Sequence, residues 1–334
     1  MSIIDPFGNM FFTIPGTYAP YQGPVRPGVP YAPYPYGPFP VPGFGPRPLG
    51  GYAPYAYPGT PLGPGYPAPY PAPYDSGPWP TDEPAPYPIM YRQTNKPTTP
   101  VLRGGSENLQ NRVPHIKHID LSAMFPKEIF LHGPRNQNRI SLTFDDGPDD
   151  VWTPQVLNAL KQHNIKATFF IVGERAAAHP QVLQRIVREG HVVGNHSWDH
   201  PNFTKITADE RVSQINRTAQ TIEQIAKVKT KLFRPPYGAL DPDIVREIAS
   251  MDYDIIFWDV DSLDWSGLNG PQVVANVLAH AERGSIILQH CAGGHGENLS
   301  GTVAAIPYLA TVLEKEGFQF ATVPELLKIT PYRT

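Results

Sequence analysis

The stretch Ile140-Ser-Leu-Thr-Phe-Asp-Asp-Gly-Pro148 decides how this chain is read. Ile140 to Phe144 carries no charge, which suits a short strand buried in a parallel sheet. Two carboxylates, Asp145 and Asp146, then end it. Asp-Asp-Gly-Pro is good turn chemistry, so a simple turn is one reading. The other is a site. Side chains alternate along a strand, so one carboxylate can face a metal while its neighbour faces substrate.

Working outward, the same unit recurs. Thr153-Pro154 starts a helix, with Thr as cap and Pro at its first position. Ala167–Val172 is a second buried strand, and Pro180 to Glu189 is a helix stopped by Gly190. His191–Asn195 is a third strand. Thr207-Ala-Asp-Glu210 is a capping box opening a long helix with Val212, Ile215, Ile222 and Ile225 at helical spacing. Lys231–Arg234 is a strand, and Asp241-Pro242 caps a helix. Asp254–Val260 is a strand, Pro271 to Glu282 a helix, Ser285–His290 a strand, Val303 to Glu316 a helix and Gln319–Thr322 a last strand. Strand–helix alternation means an α/β domain with a parallel sheet. About seven strands in one domain favour a barrel over an open sheet.

The first hundred residues are a different material. They hold 28 of the 42 prolines and 13 of the 17 tyrosines, in runs such as Tyr31-Ala-Pro-Tyr-Pro-Tyr-Gly-Pro38. Such a Pro/Tyr/Gly-rich segment lacks the aliphatic pattern of a core and favours extended, disordered chain. It is either a passive linker or a sticky segment that assembles into a surface layer such as a spore coat. Residues 101–124 read as a linker, and 125–334 as the domain. The net charge of −3 gives no reason to expect a nucleic-acid partner. A single cysteine, Cys291, excludes an internal disulfide. There is no apolar run of 18 residues for a membrane span, and no basic-then-apolar leader. A cell-surface or spore-associated protein is expected over a cytoplasmic one.

Polar residues gather where strands end, the edge at which parallel α/β folds build sites. His196-Ser-Trp-Asp-His200 places two imidazoles four residues apart. They either cap the surface or converge on a metal with an upstream carboxylate. Arg234, beside rigid prolines, is either solvated or a fixed cation that pairs with Asp145. Asp261 at the rim could bond a catalytic imidazole. Trp265 is either an apolar pocket wall or, like Trp258, simply core. His290 closes the series.

Thr143-Phe-Asp-Asp-Gly-Pro148, His196-Ser-Trp-Asp-His200, Arg234-Pro-Pro-Tyr-Gly238, Asp261-Ser-Leu-Asp-Trp265 and Leu288-Gln-His290 resemble, in order, the five motifs of the polysaccharide deacetylase (NodB-homology) family. The resemblance covers about residues 125–330. Phe125–Gly133 and Gly293–Thr302 are similar to the bacillus-type branch of peptidoglycan N-acetylglucosamine and chitooligosaccharide deacetylases. The resemblance implies a distorted (β/α) barrel and a hydrolase that removes N-acetyl groups from a cell-wall or chitin-like polysaccharide. It implies one divalent metal, zinc foremost, on Asp146, His196 and His200. Asp145 becomes the base toward the attacking water and His290 the acid. Arg234 orients Asp145, and Asp261 tunes His290. The Tyr237 backbone N–H meets the oxyanion, while Trp265 and Leu288 hold the acetyl methyl. The alternative is a non-catalytic glycan-binding or coat-assembly protein that keeps the fold.

Overall fold

The computed structural model describes residues 99–294 and 297–334, with the short segments 3–4 and 10–11. Ile3–Ile4 (β1) and Met10–Phe11 (β2) pair antiparallel. The remainder of the expected disordered tail, up to residue 98, lies outside the described residues, and so does its proposed role in coat assembly.

The domain strands are β3 Ile129–Phe130, β4 Arg139–Asp145, β5 Thr168–Ile171, β6 Val192–Asn195, β7 Leu232–Phe233, β8 Asp254–Ile256, β9 Val260–Asp261, β10 Ile286–His290 and β11 Gln319–Phe320. The helices are α1 His115–Met124, α2 Trp152–Gln162, α3 Gly173–Ala178, α4 Pro180–Arg188, α5 Ala208–Ala226, α6 Pro242–Ser250, α7 Gly270–His280, α8 Ser300–Lys315 and α9 Val323–Leu327. The nine domain strands pair in parallel, in the order β3-β8-β7-β6-β5-β4-β10-β9, with β11 beside the start of β4. The expected seven become nine for two reasons. Asp254 to Val260 breaks into β8 and β9, and β3 is too short to show an apolar period.

That break curls the sheet. β8 pairs with β3 and β7, whereas β9 pairs with β10 at the other end of the sheet. One short chain segment thus runs from the strand next to one end of the sheet to the strand at the other end, and the sheet curls into a distorted, open barrel. The strands are buried on both faces, as helical crossovers require. Alternation sorts their side chains. Ile140, Leu142 and Phe144 of β4 enter a core with Leu157 and Leu160 of α2 and Leu309 and Leu313 of α8. Ser141, Thr143 and Asp145 point the other way, toward the barrel interior.

Local signals set most helix ends. Thr207 and Glu210 form the expected capping box on α5, and Asp241 Oδ1 accepts from the Asp243 and Ile244 N–H groups on α6. At α2 the cap differs from expectation. Asp149 Oδ1 takes the N–H groups of Val151, Trp152 and Thr153. Thr153 sits one residue inside, where its hydroxyl donates to the Cys291 carbonyl at 2.8 Å. Residues 115–124, expected to be linker, form α1, because Leu121 and His118 are buried against the domain. No helix of the described residues is long and apolar enough to cross a membrane.

Candidate metal centre and catalytic groups

β4 and β10 are neighbours in register, with His290 level with Asp145. Adjacent strands lie about 4.8 Å apart, so the two residues come side by side at the C-terminal edge of the sheet. Arg234 follows β7 and is fully buried. Its Nη1 donates to Asp145 Oδ1 and Thr143 Oγ1, both at 2.8 Å. Its Nε and Nη2 donate to the Ile256 and Phe257 carbonyls, both at 3.0 Å. The guanidinium is therefore fixed between β4 and the end of β8, and it fixes one oxygen of Asp145.

Asp146 leaves the strand through a left-handed backbone, φ 70°. That conformation costs a non-glycine residue about 1–3 kcal/mol and is tolerated where the surroundings hold it. It separates Asp146 from its neighbour and brings Oδ1 to 3.4 Å from His196 Nε2 and 3.3 Å from His200 Nε2. The two histidines converge through a tight turn, not a helix. Ser197 and His200 are both left-handed, at φ 69° and 61°. Asn195 Oδ1 accepts from the Ser197 N–H, and Ser197 Oγ accepts from the His200 N–H. Gln214 of α5 holds the loop by taking the N–H groups of Trp198 and Asp199. Arg175 of α3 donates to the Asp146 carbonyl at 3.0 Å and steadies the other side.

The donor set fits a divalent metal. Asp146, His196 and His200 form the one buried His/carboxylate cluster of this kind among the described residues. Asp146 Oδ1 and His200 Nε2 are buried without a hydrogen-bond partner, an arrangement that a cation would satisfy. Each imidazole turns its Nδ1 to a carbonyl, that of Arg234 at 2.7 Å for His196 and of Gly105 at 3.2 Å for His200. Nδ1–H donation there leaves both Nε2 lone pairs aimed at Asp146. Burial lowers the His200 pKa to about 3 against the pull of Asp146, so this ring is neutral and ready to ligate. Burial would raise Asp146, but His200 and His196 hold it well below the usual carboxylate range. Burial opposes the charged form of His196, but Asp145 and Asp146 more than offset it and raise its pKa above the ordinary imidazole value.

The partner of His290 corrects the sequence reading. Its Nδ1 bonds Asp264 Oδ1 at 2.7 Å, and its N–H donates to Asp264 Oδ2 at 2.8 Å. Asp261 does not hold this ring. The sheet register gives the reason: Asp261 is level with Leu288, two residues short of His290, which is roughly 6–7 Å along the strand. Left-handed Leu263, φ 56°, then turns the chain and delivers Asp264. Thr302 Oγ1 donates to Asp264 Oδ2 at 2.7 Å and completes its shell. Asp261 instead pairs with Arg112. The second aspartate of Asp261-Ser-Leu-Asp264-Trp265 was visible in the sequence, but spacing alone could not rank the two.

The remaining expected residues line the same edge. Leu288 is buried on β10, one turn of the pleat before His290. Tyr237 has φ 60° and packs its ring edge-on against His200, 4.5 Å between centroids. Trp265 is half-buried with the Arg112 guanidinium 5.1 Å from its ring centroid.

This arrangement can be set beside known proteins. The sequence profile of the family described as polysaccharide deacetylase matches residues 132–256. A peptidoglycan-N-acetylglucosamine deacetylase of Bacillus cereus is 41% identical over 202 residues, 60% of this chain and 72% of that protein. The chain belongs to the polysaccharide deacetylase family. Among solved structures, the Bc1960 peptidoglycan N-acetylglucosamine deacetylase aligns with TM-score 0.61 and 39% identity, covering 64% of this chain and 98% of that one. A pseudoenzyme of the same family from Bacillus anthracis, BA3943, aligns with TM-score 0.55 and 28% identity, over 59% of this chain and 68% of that one. The chain is thus a hydrolase of the deacetylase family.

Residues that the sequence reading missed lie ahead of the matched region. Tyr237 Oη donates to the carbonyls of Gly104 and Gly105, at 2.6 and 2.8 Å. Glu107 is 9% exposed and pairs with Arg112 Nε at 3.1 Å. Burial raises the Glu107 pKa to about 7, opposed by Arg112 and His290. Neither Glu107 nor Arg112 stands in an apolar pattern or a motif, so the sequence offered no signal for them.

Proposed function

We propose that this deacetylase removes N-acetyl groups from N-acetylglucosamine residues of peptidoglycan or a chitin-like oligosaccharide. A divalent ion, zinc foremost, is held by Asp146, His196 and His200. The observation that carries the reading is the level pairing of Asp145 and His290 beside that cluster, each fixed by a separate buried partner. When bound, the ion supplies Lewis-acid polarisation of the acetyl oxygen and acidifies water.

This chain's own groups do the rest. Arg234 occupies Asp145 Oδ1, which leaves Oδ2, 3.7 Å from His196 Nε2, to take a proton from the attacking water. Asp264 accepts the Nδ1 hydrogen of His290, so the proton at Nε2 is the one delivered to the leaving amine. The Tyr237 backbone N–H meets the developing oxyanion. Leu288 and Trp265 give the acetyl methyl an apolar seat. The test is acetate release from a panel of peptidoglycan, chitooligosaccharides and acetylxylan, with and without chelator. Metal-loaded protein that binds a glycan but releases no acetate would instead support the non-catalytic reading that the likeness to BA3943 raises.

The role of Asp264 sets a pH dependence. Burial pushes the His290 pKa down, but the Asp264 carboxylate more than offsets it, and the value rises from 6.5 to about 10. An acid must hold its proton, so turnover falls as pH rises through that value. Asp264→Asn removes the negative charge that favours imidazolium. Its alkaline limb is expected to move to lower pH, toward the ordinary imidazole range, while Asp261→Asn leaves the limb in place. Profiles of kcat against pH for the two variants check this, and a shift confined to Asp261→Asn would reverse the assignment.

A further inference from the structure

We propose that residues 102–112 are a strap that closes the substrate groove in the resting chain and must lift before a sugar reaches Asp145 and His290. This rests on the deacetylase reading above. Its first support is burial. Asp145, Asp146, His196, His200, Tyr237, Leu288 and His290 are each no more than 3% exposed. A site for a polymer must present a groove in which these groups touch the glycan, so something in the chain covers it.

The cover runs from Leu102 to Arg112. The Gly104 N–H donates to the Asp199 carbonyl at 3.2 Å, and the Gly104 and Gly105 carbonyls take the Tyr237 hydroxyl. Arg112 bridges Glu107 and Asp261, 5.3 Å from the Trp258 ring centroid and 5.1 Å from that of Trp265. A guanidinium on Trp265 stands against the wall assigned to the acetyl group. Charged side chains are seldom buried unless paired, and here the pairing joins the strap to the rim. The seat is close: a Cβ added at Gly104 would collide with the His200 carbonyl oxygen. Yet the strap has no helix or strand and one buried aliphatic anchor, Leu102. Segments of that kind open at low free-energy cost. The strap lies ahead of residues 132–256, the part of the chain that the family profile matches.

Two full-length variants test this. Gly104→Ala forces the strap off His200, and Arg112→Ala removes its pin on Asp261. Each is made with and without Asp145→Asn, which allows binding to be measured without turnover. A closed state that must open weakens apparent affinity by the fraction open. N-acetylchitotetraose is therefore expected to bind about tenfold tighter when the strap is freed. In the Asp145 forms KM falls by a similar factor, and kcat stays near that of the unsubstituted chain. Metal content is measured alongside, because Gly105 supports His200. Unchanged or weaker binding in both variants, or loss of metal in both, overturns the strap. It would make the segment a fixed part of the site. Tighter binding without acetate release from any Asp145 form upholds the strap and overturns the deacetylase reading. No binding by any form overturns both.

Discussion

Asp145→Asn is expected to keep a full equivalent of metal and lose about 10²–10⁴-fold in kcat, the usual worth of a positioned general base. Asparagine is nearly isosteric, and its amide oxygen can still accept from Arg234 Nη1, so the buried guanidinium is not stripped of every bond on that side. The Thr143 hydroxyl also stays in reach of Nη1. What disappears is the free oxygen that takes a proton. KM is expected to change little, because Asp145 is assigned to the reacting water and not to holding the sugar. Metal analysis beside steady-state kinetics decides it. Loss of metal together with turnover would place Asp145 among the ligands and Asp146 in the role of base.

His200→Ala is expected to abolish stoichiometric metal and, with it, activity. The cluster has three protein ligands, and two are too few for a catalytic site of this type. His200 is the strongest case because it is fully buried and neutral, with Nε2 lacking any other partner. Metal uptake in the unsubstituted chain should release protons, because a ligating imidazole must be unprotonated and Asp145 and Asp146 raise the His196 pKa. A His200→Ala protein that retains one metal per chain after dialysis, with normal turnover, would overturn the assignment.

The correction at Asp264 shows how narrow a margin separates two readings of one motif. Asp261 and Asp264 carry the same side chain and stand three residues apart in one motif. A two-residue offset in a parallel ladder and one left-handed leucine decide which of them meets His290. The other is then free to anchor a segment some 150 residues earlier. If the strap lifts as proposed, Asp261 serves the closed state and Asp264 the chemistry.

The order of strands and helices was legible because its causes are local. Uncharged runs such as Ile140–Phe144 and Ala167–Val172 can only be buried, and Thr207 with Glu210 or Asp241 before Pro242 terminate helices through bonds a few residues long. The polar residues at strand ends were legible too, since a buried strand does not close on Asp-Asp or Gln-His without partners. Tertiary structure alone decided the rest. Sheet register chose Asp264 over Asp261, the break between Ile256 and Val260 sent one segment from β8 across to β9 at the far end of the sheet, and the Asp149 carboxylate took over the cap expected of Thr153. Glu107 and Arg112 reached the site from a stretch with no pattern of its own. Each of these depends on contacts between distant parts of the chain, whose geometry is fixed by strand pairing and side-chain packing, and no local period in the sequence records it.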